Sequence, residues 1–255
     1  MNRRLLLLLC LPALIALSLP IAALFGRVNW YSLPELALAA DVRSALRLSL
    51  VVSLSAVALS LAGGLPLAWW LARGRSRLRP LARIVVTLPM VLPPVVAGVA
   101  LLAAFGRSGP LGRALEAAGL AVPFTLAAAV LAATFVSAPL LVTALEAGLM
   151  RMEPRREQAA ATLGAAPWRV FLHVNLPELR PALLGGVALC WARALGEFGA
   201  TITFAGNLPG RSQTLPLAIY EKLYGAPEQA FALAALLILA SAAGLLALRL
   251  RPESP

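Results

Sequence analysis

Apolar runs near residues 5–25, 45–71, 81–105, 123–145, 181–206 and 231–248 decide the solvent in which this chain folds. In hydrocarbon every backbone N–H and C=O must find a partner inside the protein, and runs of this kind meet that demand as helices. About 20 helical residues rise about 30 Å, the thickness of a bilayer's hydrocarbon layer. The sequence therefore predicts an all-α integral membrane protein with six transmembrane helices, in one transmembrane domain covering residues 1–255. The first run follows Arg3 and Arg4 and could resemble a signal peptide. It is longer than a typical signal core and no small-x-small cleavage site closes it clearly, so it is read as a span. Composition agrees, with 60% apolar residues and a mean hydropathy of +0.85, against roughly 45–50% apolar in soluble domains.

Charge fixes the expected orientation. The chain carries 22 Lys and Arg against 11 Asp and Glu, a net +11, and Lys222 is the single lysine. These cations flank apolar spans, a membrane pattern rather than a nucleic-acid one, so no nucleic-acid partner is expected. One side of the six-span arrangement collects Arg3, Arg4, Arg73, Arg75, Arg77, Arg79, Arg83, Arg151, Arg155, Arg156, Arg169, Arg180, Arg249 and Arg251, which is 14. The other collects Arg27, Arg43, Arg47, Arg107, Arg113, Arg211 and Lys222, which is 7. The positive-inside rule then places both termini and the 149–179 loop in the cytoplasm.

Enzymatic chemistry has little to work with. There is one Asp, one His (His173) and no cluster of convergent acids, so a membrane-embedded enzyme is the weaker reading. Cys10 and Cys190 lie inside apolar runs with no metal or disulfide spacing. No glycine-rich phosphate loop with a lysine is present, so a transport process driven by ATP must bind it, with Mg, on another polypeptide; no cofactor is expected on this chain.

Two spans carry unusual residues. Leu88-Pro89-Met90-Val91-Leu92-Pro93-Pro94 cannot keep a regular hydrogen-bond ladder, so it should be buried in protein or line a cavity. In the fifth run, Arg193 and Glu197 stand four apart, one turn of a continuous helix. Each charge alone at mid-membrane would cost about 2.5–3.5 kcal/mol, so a pair is expected, either structural or along a pathway. In the loop 207–228, Thr214 and Pro216 start a short helix that Gly225 stops, with Tyr220 and Tyr224 on one face.

The stretch 149–179 is amphipathic and charged. Pro154 suits a helix's first turn, Gly164 the position just past its end, Pro167 a second start and Pro177 its stop. Two short helices about a glycine turn at a membrane surface form a docking surface for a soluble partner. The spacing Gln158-Ala159-Ala160, Gly164, Val174, Leu176-Pro177 resembles the cytoplasmic loop of permeases of binding-protein-dependent ABC importers. Gln158 stands where that family usually has Glu, and Glu157 sits one place earlier. Within those permeases the chain is most similar to the molybdate group, through residues 88–98, 192–201 and 204–220; sulfate permeases share part of this.

The resemblance implies the type I ABC importer permease (MetI-like) fold, a homodimer with its pathway at the two-fold axis, and residence in the bacterial inner membrane as a multi-pass protein. It implies two cytoplasmic ATP-binding subunits as partners, docked on Glu157, Gln158, Ala159, Ala160, Gly164 and Ala165. An extracytoplasmic oxyanion-binding protein would deliver molybdate or tungstate. Pro93, Pro94, Arg193, Glu197 and Thr201 are the candidate pathway or gate residues. A sulfate or thiosulfate permease is the alternative within the family.

Overall fold

The computed structural model describes residues 3–249, and these form helices and loops without a strand; Arg251 and the extreme termini lie outside the described residues. In chain order the helices are α1 (Arg3–Gly26), α2 (Leu33–Leu38), α3 (Ala40–Arg73), α4 (Arg79–Val91), α5 (Pro94–Phe105), α6 (Pro110–Ala117) and α7 (Leu126–Arg151). Then come α8 (Pro154–Thr162), α9 (Pro167–Val170), α10 (Leu176–Leu195), α11 (Gly199–Phe204), α12 (Leu215–Gly225) and α13 (Pro227–Arg249). A five-residue π turn, Phe171–Asn175, joins α9 to α10.

Among the described residues three helices, α3, α7 and α13, are long and apolar enough to cross a membrane uninterrupted, with α4 and α5 a fourth if their bent pair is one span. The run at 81–105 is broken where the prolines predict an interruption: α4 and α5 meet at 119°. The cause is local. A residue before proline is driven out of the helical region, and both Leu92 (ψ 135°) and Pro93 (ψ 135°) precede one. The fifth run is likewise not continuous, because α10 stops at Leu195 and α11 begins at Gly199. Span four also runs further than its apolar run suggested, through Arg151. Its start is fixed by Thr125, whose Oγ1 accepts a hydrogen bond from the Ala128 N–H at 3.3 Å, an N-cap.

The bundle is built around α7, which packs along α3 on one side and α10 on another. Small side chains make this possible, as in other membrane bundles where backbones must approach closely. Ala128, Ala129, Ala132 and Ala133 of α7 are fully buried with Val52 and Ala56 of α3, Ala97 and Leu101 of α5, and Phe204 of α11. Leu141, Leu145 and Leu149, further along α7, are buried with Ala68 and Leu71 of α3 and with Leu179 and Cys190 of α10. Ala82 and Val86 of α4 join this second cluster. The α4–α5 pair thus starts at one end of α7 and finishes at the other. Gly63, Gly64 and Pro66 do not interrupt α3, and Gly64 lies against Val142, where an added Cβ would stand 3.0 Å from Cγ2.

At the end of the bundle remote from α8, α12 packs on α13 and α3. Lys222 of α12 reaches Asp41 in the first turn of α3 at 3.0 Å. That ammonium holds the Asp41 carboxyl below its usual pKa, chiefly by hydrogen bonding. Thr214 is the N-cap of α12 and Gly225 its last residue, as anticipated, and the Tyr220 and Tyr224 rings meet edge to face at 5.3 Å.

Candidate functional site

Two regions carry the residues singled out by the sequence. The first is the surface formed by α8 and α9. Pro154 opens α8, where its missing N–H costs nothing. The helix ends in a Schellman motif: the Gly164 N–H bonds to the Ala161 carbonyl at 3.0 Å and the Ala165 N–H to the Ala160 carbonyl at 3.1 Å. Gly164 takes φ +81° to close it, the conformation expected at that position. Pro167 then opens α9. Pro177 does not stop the second helix. It sits in the first turn of α10, and the helical path continues through the π turn, whose wider winding accommodates the missing N–H.

The residues expected to dock a soluble partner do not all face outward. Gln158, Ala159 and Gly164 are exposed, as are Leu163 and Trp168, and Ala160 and Ala165 are half-buried. Glu157 turns back into the protein. Its Oε1 accepts a hydrogen bond at 2.9 Å from Nη2 of Arg73, the last residue of α3. The same Nη2 also donates to the Met152 carbonyl at 3.1 Å. On the other flank, Arg156 Nη1 reaches Glu178 Oε2 of α10 at 3.2 Å.

Sequence reading counted the arginines after α3 only as topological charge; the structure gives several of them partners. Arg79 donates from Nε to the Leu71 carbonyl at 2.7 Å and from Nη1 to the Gly74 carbonyl at 2.6 Å. Arg83 donates from Nε to Glu146 Oε1 at 2.6 Å and from Nη2 to the Leu71 carbonyl at 3.2 Å. These guanidinium groups satisfy the carbonyls left free at the end of α3, where the helix dipole also favours a cation. A basic run immediately after a long apolar helix, with a lone Glu146 near the end of another, was the signal available.

The second region is where the two broken spans meet. Gly199 opens α11 directly against Pro94, which opens α5, and a Cβ added at Gly199 would lie 2.5 Å from the Pro94 Cβ. Gly98 faces the same helix from the other side, with Ala200 O and Thr203 Cβ at 2.9 and 2.6 Å from an added Cβ. Pro94 and Thr201 are thereby brought to one junction, and Pro93 sits at the bend itself. Arg193 and Glu197 do pair, Nη1 to Oε2 at 2.5 Å, although Glu197 lies beyond the end of α10 rather than on a continuous helix. The contact is ionic rather than a directed hydrogen bond, since Oε2 has no aligned donor. The other oxygen, Oε1, accepts the Ala200 N–H at 2.8 Å and so caps α11. Glu197 is buried (2% of its side chain exposed), while Arg193 keeps 33% exposed. Thr201 is buried with no partner for its Oγ1. Phe198 lies in the break and packs against Tyr220 of α12, the ring centroids 5.1 Å apart and the planes tilted by 50°.

The bend between α4 and α5, expected to be buried or to line a cavity, is not enclosed within the single chain. Leu92 is half-buried, whereas Pro93 and Pro94 are exposed and Val91 is 81% exposed. Among the described residues no cluster of three or more His, Cys, Asp or Glu side chains could hold a metal.

Comparison with known proteins agrees with this geometry. Residues 64–251 match the family described as "binding-protein-dependent transport system inner membrane component". The molybdenum transport system permease protein ModB of Mycobacterium bovis is 45% identical over 91% of this chain and 89% of its own length. That of Escherichia coli K12 is 46% identical over 69% of this chain and 77% of its own. A probable sulfate transport system permease of Nephroselmis olivacea is 37% identical over 82% of this chain and 75% of its own. Among solved structures, a bacterial ABC transporter that imports alginate shares the fold, with a TM-score of 0.70 at 18% identity, covering 96% of this chain and 92% of that one. The MetNI methionine ABC transporter shares it with a TM-score of 0.60 at 19% identity, covering 80% and 91%.

Proposed function

Because this chain belongs to the family of inner membrane components of binding-protein-dependent transport systems, we propose that it is the membrane subunit of an ATP-driven importer for molybdate. The observation that carries the substrate is the high identity to molybdenum permeases across nearly the whole chain, against a lower identity to a sulfate permease. Sulfate transport is the second reading, and that sulfate permease relative is what favours it.

Six passes through the bacterial inner membrane, with both termini in the cytoplasm, account best for the helices. The α4–α5 pair makes one bent pass between the two ends of α7, and α10 with α11 makes another. The excess of arginine around α4 and α8 supports that end as the cytoplasmic one. ATP and Mg belong on two separate cytoplasmic subunits, which dock on the exposed face of α8 and α9. An extracytoplasmic oxyanion-binding protein docks at the opposite end, near α12. The exposed bend at Leu92–Pro93 supports a homodimer. Irregular backbone at membrane depth is tolerated against protein or a water-filled cavity and not against lipid, so a second copy and the pathway between the two would cover it.

Closure of the ATP-binding subunits moves the two docking loops together and opens the pathway outward. Arg193 is the cation of the broken region and retains some exposure, which suits it to meet a passing anion. Glu197 sets the geometry of that region by capping α11. The test is ATP hydrolysis by the reconstituted complex with its binding protein. Molybdate-loaded binding protein should raise the rate, and stimulation by sulfate alone would favour the second reading.

A further inference from the structure

Helix α8 has no buried residue of its own. Among the described residues, two ion pairs tie its side chains to the spans. Arg156–Glu178 lies at the rim with side chains 62% and 31% exposed, a setting in which ion pairs contribute little. Arg73–Glu157 is better enclosed, with 21% and 22% exposed, and one Arg73 nitrogen joins three elements: the end of α3 that carries it, the carbonyl that ends α7, and α8. The anchor is rigid, since Arg79 and Arg83 bind the same end of α3 to α4 and, through Glu146, to α7. Helix α3 is unbroken over 34 residues, about 50 Å of rise. At its other end Asp41 is paired with Lys222 of α12.

We propose that Arg73 is a positioning residue that latches the ATPase-facing helix α8 to α3, so that movement of the docking loop is passed to the spans rather than absorbed by a slack connection. Glu157 then serves transport through Arg73 rather than by touching an ATP-binding subunit. This rests on the reading of α8 and α9 as the docking surface.

The test uses the full complex with its ATP-binding subunits and binding protein in liposomes, comparing the unaltered chain, Arg73→Gln, and the exchange Arg73→Glu with Glu157→Arg. Arg73→Gln should retain the ATP-binding subunits and near-normal ATP hydrolysis, while molybdate import per ATP falls about tenfold, the scale of an ordinary coupling between sites. Spin labels at Arg75→Cys and Thr162→Cys, in a Cys10→Ser background, give a readout independent of the substrate. Their distance distribution should broaden in Arg73→Gln and narrow again in the exchange. Should Arg73→Gln fold poorly, Arg73→Lys should show a smaller change in both readouts. An unchanged distance distribution overturns the latch. So does a fall in hydrolysis that matches the fall in import, because Glu157 would then be a direct ATPase contact. Broadened distances in a complex that imports no molybdate even when unaltered would leave the latch standing and remove the molybdate reading.

Discussion

Gly199 and Pro94 pack so closely that a single methyl group at Gly199 would stand 2.5 Å from the Pro94 Cβ. This contact joins the starts of α5 and α11, and so the two broken spans. The atoms in the way are a proline ring and backbone, which cannot swing aside. Gly199→Ala should therefore cost about 1–3 kcal/mol, the usual penalty for overpacking. Thermal unfolding of the purified chain in detergent should show the loss, and a melting temperature equal to the unaltered protein's would contradict the close contact.

Gly164 invites a different substitution. An added Cβ there meets nothing within 4 Å, so only the backbone objects, through φ +81°. Gly164→Val should cost about 1–2 kcal/mol at the turn, leave the spans intact, and reduce the yield of ATP-binding subunits that copurify. Gly164→Asn, which tolerates a left-handed conformation better, should retain most of them.

Arg193 and Glu197 now make a sharper prediction than spacing alone allowed. Removing one member of an enclosed pair strands the other, at about 3–5 kcal/mol. Arg193→Gln should lower folding yield more than Glu197→Gln, because it strands a carboxylate that is only 2% exposed, whereas Glu197→Gln leaves an arginine that keeps 33% exposure and an amide oxygen that can still accept the Ala200 N–H. Exchanging the two restores opposite charge but not the cap, so yield should recover only partly. Equal yields for all three variants would mean that neither pairing nor capping matters.

The Asp41–Lys222 pair sets a pH expectation for α12. A carboxyl with a depressed pKa contributes stability at pH values above its unfolded pKa and loses it as pH falls through the lower folded value. The tie between α12 and α3 should thus hold unchanged from pH 8 down through pH 5, in the range bounded by ordinary carboxylate values. Accessibility of a cysteine introduced at Ala218, which α12 buries against Val42 and Ala45 of α3, should be flat across that range in the unaltered background and raised throughout by Asp41→Asn.

Topology can be read by labelling. Cysteines at Arg77 and Arg211, both exposed, should react from opposite sides of the membrane. Gln213, which looks equally suitable in the sequence, is buried and bound to Glu221 at 2.5 Å, so it would label poorly from either side. Reaction of both exposed positions from one side would remove the six-pass arrangement.

Much of the fold was written in the apolar runs, because hydrophobic length alone determines where a helix can sit in a bilayer. The turn between α8 and α9 was also legible, since Pro154, Gly164 and Pro167 act through local backbone rules. The bend at Leu92–Pro93 was foreseeable as an interruption, because each of the two residues precedes a proline, but the 119° angle itself was not. The break after Leu195 was hidden: Arg193 and Glu197 share a helical spacing, and only the Ala200 N–H bound to Glu197 reveals a second helix start. The partners of Arg73 and Arg83 lie 84 and 63 residues away in sequence. No periodicity or propensity reports pairings at that range, so the contact of Glu157 with Arg73 was not legible in the sequence.

The most direct test of the account is uptake of radiolabelled molybdate into liposomes carrying this chain with its ATP-binding subunits and binding protein. The account predicts uptake that requires ATP and the binding protein and is inhibited poorly by excess sulfate. Uptake of sulfate in place of molybdate, or molybdate entry without ATP, would contradict it.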